Sequence, residues 1–359
     1  MAGFERIFVR LPNWVGDVAM ATPVLRALRR TYGKARIAWG LRPSVEGVVR
    51  GAPWADVLYL ERGRGVLGVS ETARALRAER FDLALLLPHS FQSALVARLA
   101  GARVRVGFAR EGRGWLLTQP LRAPRQGWRW LPRPTPHFYR EIGNAVGVDV
   151  PSLKPVLPFE AAVAEEVARM LGAAGVRRGE ILFGFAPGAS FGASKHWNAA
   201  SFAAVADELL RRHGAKGVIL TAPSERAIGD AIAARARMRL ARVEEWIDLH
   251  RLKPLAARLS LLVTTDAGPR HFAAAFDVPI VALLGPNRPE WTNETLERTE
   301  VVRVEVPCGP CHLKRCPLDR WCMEAIAPAE VIEAAEDLLR RFPPEPRDVV
   351  ALASDQRGA

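Results

Sequence analysis

Three glycine-bearing loops hold most of the residues whose types and spacing could do chemistry. In "RLPNWVGDVAMATPVLRAL", Arg10–Leu28, a short apolar run ends, Gly16 follows, and a helix begins at a lone carboxylate, Asp17. No second acid, histidine or cysteine stands in its neighbourhood. Such an acid either caps the helix, where Asp is a favoured residue, or points into a cleft beyond the strand. In "FAPGASFGASKHWNAASF", residues 185–202, Gly188 and Gly192 let backbone approach a ligand closely and Lys195 follows. The chain is rich in Arg and has only six lysines, at 34, 154, 195, 216, 253 and 314. A lysine kept in such a chain points to a compact ammonium that Arg does not replace, which favours a phosphate contact over a solvated surface turn. The spacing is not that of a P-loop. In "VTTDAGPRHFAAAF", residues 263–276, a strand turns through Asp266, Ala267 and Gly268 into a helix with Pro269 in its first turn. Helix-start amides lack internal partners and carry the positive dipole end. This turn is therefore suited to a pyrophosphate, with Arg270 and His271 as further donors. Turn chemistry for Asp266 and a packed core histidine for His271 are the plainer alternatives.

These loops need strands and helices to hold them. Strand-like runs alternate with helical stripes from "RIFVRLP" to "VRVGF", with a helix over 18–31 after the first strand. The rhythm predicts a parallel sheet covered on both faces. It breaks at 109–136, an Arg-, Trp- and Pro-rich stretch read as a loop. After an extended linker, a second series starts near 160, with "PIVALLGP" as its last clear strand. The fold class is α/β, two Rossmann-like halves with a cleft between them, where ligands sit beyond the C-terminal strand ends. The expected boundaries are 1–158 and 159–327, then a terminal helix over 328–342 and a disordered tail over 343–359.

The length of 359 residues suits two domains. The net charge of +13 favours an anionic partner, although heavy Arg and Ala use also fits a G+C-rich genome. No apolar stretch reaches the ~20 residues of a membrane span, and the N-terminal residues lack the pattern of a signal peptide. The expected location is the cytoplasm. The cysteines, 308, 311, 316 and 322, have C-x2-C-x4-C-x5-C spacing. Four thiolates suffice for structural zinc or an iron–sulfur cluster. The spacing fits neither common template well, so reduced thiols packed in a loop are the reading adopted.

The segments "RLPNWVGDVAMATPVLRALR", "PGASFGASKHWNAASFAAVADELL", "TAPSE", "TTDAGPRHFAAAFDVPIVALLGP" and "CGPCHLKRCPLDRWCM" together resemble glycosyltransferase family nine, the ADP-heptose:lipopolysaccharide heptosyltransferases. The cysteine segment is similar to the heptosyltransferase II type. The resemblance implies a GT-B fold whose parallel sheets face across a cleft, with an acceptor-binding first domain and a nucleotide-sugar-binding second one. It also implies a last helix that crosses back onto the first domain. Asp17 matches the presumed catalytic base, Lys195 of "SKHW" a donor-phosphate contact, and Glu225 a ribose-binding position. The "DAGPRH" turn implicates Asp266, Gly268 and His271 around pyrophosphate and sugar, and Gly188, Ser194, Ala267 and Pro269 complete the donor set. Ala267 stands where Ser is common. His250 and Arg251 replace Thr and Gly in a loop near the nucleotide, so another nucleotide sugar remains an alternative donor.

The chemistry so implied is inverting transfer, with Asp17 taking the acceptor proton. Lys195 and the 266–271 helix start would stabilise departing ADP once the cleft closes. No metal or cofactor is expected. The implied partners are the sugar nucleotide, a phosphorylated glycolipid acceptor and the anionic cytoplasmic face of the inner membrane. Arg122, Arg125 and Arg129 are the residues expected to approach that face. A dinucleotide oxidoreductase is disfavoured because GxGxxG is lacking. A basic nucleic-acid-binding protein is the alternative of another class, disfavoured because only 109–136 interleaves aromatics with arginines.

Overall fold

In a computed structural model, the described residues are 3–355 except 62, 64, 128, 244–246, 292, 293, 295 and 296, with the side chains of 129, 130, 354 and 355 also left aside. They form two compact units that divide between Val156 and Leu157, the first also taking in Glu290–Glu294.

The first unit contains strands β1 (Arg6–Arg10), β2 (Arg36–Leu41), β3 (Val57–Leu60), β4 (Leu83–Leu86), β5 (Val104–Phe108) and β6 (Gln119–Leu121), and a short antiparallel pair, β7 (Arg125–Gln126) and β8 (Arg129–Trp130). Its helices are α1 (Val15–Thr31), α2 (Glu46–Val49), α3 (Gly65–Arg77), α4 (Phe91–Leu99) and α5 (Thr135–Asn144). The six-stranded sheet is parallel in the order β3-β2-β1-β4-β5-β6. Its central strand β4, Leu-Ala-Leu-Leu, is buried on both faces, as a parallel sheet covered by helices requires.

The 109–136 stretch is not only a loop. It supplies β6, whose Pro120 pairs opposite Gly107 at the sheet edge. An edge strand tolerates a residue that cannot donate to the ladder, which is why the proline content misleads. Helix α1 also carries a proline, Pro23, in its interior. Proline removes the bond to the carbonyl four residues back. The Thr22 hydroxyl donates to that carbonyl, Ala19 O, at 2.6 Å, and accepts from the Val156 amide at 2.8 Å.

The second unit repeats the plan. Its strands are β9 (Leu182–Ala186), β10 (Lys216–Ile219), β11 (Leu240–Arg242), β12 (Leu261–Thr265), β13 (Ile280–Leu283) and β14 (Thr299–Val302), all parallel, in the order β11-β10-β9-β12-β13-β14. Its helices are α6 (Ala161–Ala173), α7 (Ala199–His213), α8 (Arg226–Ala233), α9 (Leu252–Arg258), α10 (Gly268–Ala275), α11 (Trp321–Glu324), α12 (Pro328–Arg341) and α13 (Val349–Asp355). β14 lies beyond the strand expected to be the last.

Two expectations about the C-terminal segment are corrected. The 328–342 helix was expected on the first domain. Instead Val331, Ala335, Leu338 and Leu339 enter the core of the second unit beside Leu209, Val281 and Leu283, and α12 packs along α7 and β14. The stripe at i, i+4, i+7 and i+8 specifies an apolar face but not the surface it covers. The 343–359 tail was expected to be disordered, and its described part is docked. α13 lies on α6 and α9 with Val349 and Ala353 buried, and Ser260 Oγ donates to Glu345 O at 2.6 Å.

The variant Leu338→Ala should destabilise the second unit by about 2–5 kcal/mol through the cavity it opens. Hydrogen exchange should then speed up in β13 and β14 and stay unchanged in β1 and β4. Slower protection loss in the second unit than in the first would contradict the packing.

Candidate functional site

Both sheets have the strand order 3-2-1-4-5-6, in which the chain reverses direction across the sheet between the first and fourth strands. The loops that leave those two strands flank the crevice where such sheets bind ligands. In the second unit these are the loops after β9 and β12, neighbours in register with Thr264 opposite Ala186.

The loop after β9 ends in a turn, Ala193–Lys195, that presents the lysine. Trp197 anchors its exit, buried with Nε1 donating to Ile326 O at 3.2 Å, and the Asn198 side chain caps α7 by accepting from Ala200 N at 2.8 Å. The loop after β12 is the Asp266 turn, in which Ala267 is the residue before α10 and makes no side-chain cap bond, and Pro269 stands in the first turn. Lys195 joins the two loops. Its Nζ donates to Asp266 Oδ2 and to Asp266 O, both at 2.7 Å, with both residues buried. Two of the three ammonium protons are thus committed. The Phe191 ring lies 5.1 Å from the same nitrogen.

Asp266 is the hub. Asn287 Nδ2 donates to its Oδ2 at 2.9 Å, and the buried Arg270 lies 3.5 Å from its Oδ1. Burial alone would raise the Asp266 pKa, but Lys195, Arg270 and the Asn287 hydrogen bond outweigh it and hold the carboxyl below its ordinary range. His271 keeps part of its surface exposed, yet its protein surroundings, and then the Arg270 charge, push its pKa down to about 3. Its imidazole is neutral near pH 7. The arrangement sets an ammonium, a helix N-terminus and a neutral imidazole around one turn, a chemistry suited to an anion.

Gly188 and Glu225 meet: a Cβ on Gly188 would overlap the Glu225 carboxylate. Gly192 lies so close to the Lys314 carbonyl that a side chain there would also overlap backbone. Ser194 sits in the same contact, its hydroxyl donating to Leu313 O at 2.5 Å and its amide to Lys314 O at 3.2 Å. The cysteine segment therefore backs the lysine loop. Cys308 is exposed, Cys322 is buried, all four are free thiols, and Cys316 Sγ accepts from the amides of Leu318 and Arg320. Among the described residues no three or more His, Cys, Asp or Glu are grouped to hold a metal. His250 and Arg251 pair with α6 or the residue before it, His250 to Glu160 at 3.1 Å and Arg251 to Glu166 at 2.7 Å.

In the first unit the corresponding loops follow β1 and β4. Asp17 is not the cap of α1. Trp14 holds that position without a side-chain bond, and Asp17 is the acid of the first turn, partly exposed. Burial, and then the Asp17 charge, push the Tyr139 phenol on α5 well above its ordinary pKa. Across the strand reversal, His89 follows β4 with its ring edge-on to Phe108 and Phe138. Burial, with Arg110 and Arg113 nearby, lowers its pKa to about 4, and its Nδ1 has no hydrogen-bond partner among the described residues. Arg113 is fully buried and donates to Phe108 O at 2.9 Å and Ser93 Oγ at 2.8 Å. Arg122 and Arg125 are exposed; the Arg129 side chain lies outside the described residues.

Sequence reasoning missed Asn287, which directly follows the quoted "LLGP", and His89, which directly follows "LLLP". His89 follows β4, one of the two strands at the reversal point, and Asn287 follows β13, the strand paired with β12; the strand order is the signal that would have found them.

Residues 69–322 match the family described as Glycosyltransferase family 9 (heptosyltransferase). The chain is 30% identical over 316 residues to lipopolysaccharide heptosyltransferase 2 of Salmonella typhimurium, covering 83% of this chain and 88% of that protein. It is 26% identical over 346 residues to lipooligosaccharide heptosyltransferase 2 of Campylobacter jejuni, covering 93% and 98%. Among solved structures, the E. coli ADP-heptose lps heptosyltransferase II aligns with a TM-score of 0.76 at 24% identity, over 94% of this chain and 99% of that one. A family 9 glycosyl transferase from Veillonella parvula aligns with a TM-score of 0.79 at 24% identity, over 94% and 97%. Both structures share the fold of paired Rossmann-like units. The chain belongs to glycosyltransferase family 9 and is a glycosyltransferase.

Proposed function

We propose that this enzyme moves a heptose, with inversion, from ADP-heptose to the inner core of lipopolysaccharide, on a lipid A–Kdo or heptosyl-Kdo acceptor. The activities named for its relatives support the substrates. One observation carries the chemistry: Lys195 held by Asp266 beside the amino end of α10. ADP gains negative charge as it leaves. The remaining ammonium proton and the first amides of α10 lie where that charge develops. Gly188, Glu225, Ala267, Gly268, Pro269 and neutral His271 shape the rest of the donor site, and Ser194 serves it by fixing the lysine loop. These fixed groups replace a divalent metal, and no cofactor is needed.

Asp17 is the general base in this reading. A sugar hydroxyl sheds its proton as it attacks an anomeric carbon with oxocarbenium character, and one carboxylate suffices. The acceptor is a phosphorylated glycolipid, so the enzyme works in the cytoplasm, peripherally at the anionic face of the inner membrane, with Arg122, Arg125 and Arg129 as the proposed contacts. Among the described residues no helix is long and apolar enough to cross a membrane. Nucleic acid is not a partner in this reading.

Incubation with ADP-heptose and heptose-deficient lipopolysaccharide should release ADP. Asp17→Asn should slow turnover by about 10²- to 10⁴-fold with donor affinity unchanged; normal turnover would remove Asp17 as base. EDTA should leave the wild-type rate intact, and a loss restored by magnesium would contradict the metal-free route.

The pH dependence of stability has a defined sign. His271 titrates at about 3 in the folded chain and near 6.5 when unfolded. Its contribution is therefore complete above pH ~6.5 and is lost as pH falls towards 3. His89, at about 4, acts in the same window. Denaturant melts of His271→Asn should show a flatter fall in stability between pH ~6.5 and ~4 than wild type. An unchanged slope would mean that the folded imidazole is not depressed.

A further inference from the structure

The first unit carries an apolar face that its sugar chemistry does not use. It lies between α3 and α4 and continues to Trp115. Val66 is 85% exposed, Leu67 77%, Trp115 65%, Leu99 49% and Phe91 39%. Phe91, Leu95 and Leu99 line a groove of about 590 Å³ with Val66, Val69 and Ala73. Large apolar side chains exposed together mark an interaction surface.

Among the described residues that line the groove, the charged ones are arginines. Arg74 and Arg77 line the groove, and the Arg98 guanidinium lies 5.8 Å from the Trp115 ring, whose other neighbour is Phe91 at 6.1 Å. Glu71 is the acid on α3. Glu79 is paired with Arg36 and Tyr59, and Asp82 accepts from the amides of Glu5 and Arg6. Exposed aliphatics, a tryptophan and arginines that can extend to headgroups match a lipid interface.

We propose that the α3–α4 face, with Val66, Leu67, Phe91, Leu99 and Trp115 as apolar contacts and Arg74, Arg77 and Arg98 as headgroup contacts, seats the enzyme on an anionic lipid bilayer. This rests on the reading of a lipid-borne acceptor and adds insertion of a specific apolar patch to the electrostatic approach through Arg122, Arg125 and Arg129. Insertion by apolar side chains adds to charge attraction, so binding should survive salt better than binding by arginines alone.

The test is flotation of the full chain with phosphatidylglycerol-containing vesicles and with phosphatidylcholine vesicles. Wild type should prefer the anionic vesicles. Val66→Glu with Leu67→Glu, both at exposed positions, should lower the bound fraction by about tenfold with an unchanged melting curve. Trp115→Ala should weaken binding in the same direction. Unaltered flotation of these variants would overturn the proposal. So would a wild-type dimer that the glutamates dissociate while flotation is unchanged, since the face would then belong to a second copy. Turnover of a deacylated, water-soluble acceptor should be the same in wild type and the glutamate variant. Failure of both to use it would count against the proposed transfer reaction, whereas flotation reads the lipid contact separately.

Discussion

A buried ion pair, Lys195 with Asp266, is the interaction on which the second unit's site depends. Taking two charges out of water costs several kcal/mol per ion, so a pair in this position persists only with good geometry and further hydrogen bonds. Asp266 has both: two 2.7 Å bonds from the ammonium, one from Asn287, and Arg270 alongside. The pair ties the loop after β9 to the turn after β12, where the strand order reverses. The lysine loop is held from behind as well, because Gly192 and Ser194 press against the carbonyls of Leu313 and Lys314. That contact gives the cysteine segment a mechanical role that does not require the thiols to react.

The first unit uses the same strand order for a different chemistry. An acid, not a cation, follows its first strand, and a neutral imidazole follows its fourth. The depressed pKa of His89 comes from burial and two nearby arginines, and the raised pKa of Tyr139 comes from burial and the Asp17 charge. The Asp17 charge thus lies near a neutral phenol, and near pH 7 a neutral imidazole follows the fourth strand. That combination fits accepting a proton from a sugar hydroxyl better than holding a phosphate, and it is the reason the proposed roles divide between the units as they do.

Much of this was legible in the sequence because it is local. Strand–helix alternation specifies a parallel α/β sheet, and a glycine loop after a strand specifies where backbone can meet a ligand. What was missed is non-local or chemically disguised. Pro120 hid an edge strand, and Trp14 hid the start of α1 because it caps without a side-chain bond. The α12 stripe announced a buried face, but only packing decided that the face belongs to the second unit. Asn287 and His89 reach the sites through strand order, which no short stretch of residues encodes. The Lys195–Asp266 bond joins positions 71 residues apart; each residue was visible as a candidate, and their contact was not.

The most direct measurement is calorimetric titration of ADP into the wild type and into Lys195→Gln, with circular dichroism on both to establish that the variant is folded. Removing one charged hydrogen bond to a phosphate should weaken ADP binding by about ten- to a hundredfold. A folded variant that binds ADP as tightly as wild type would contradict the account, because the ammonium held by Asp266 would then play no part in receiving the nucleotide.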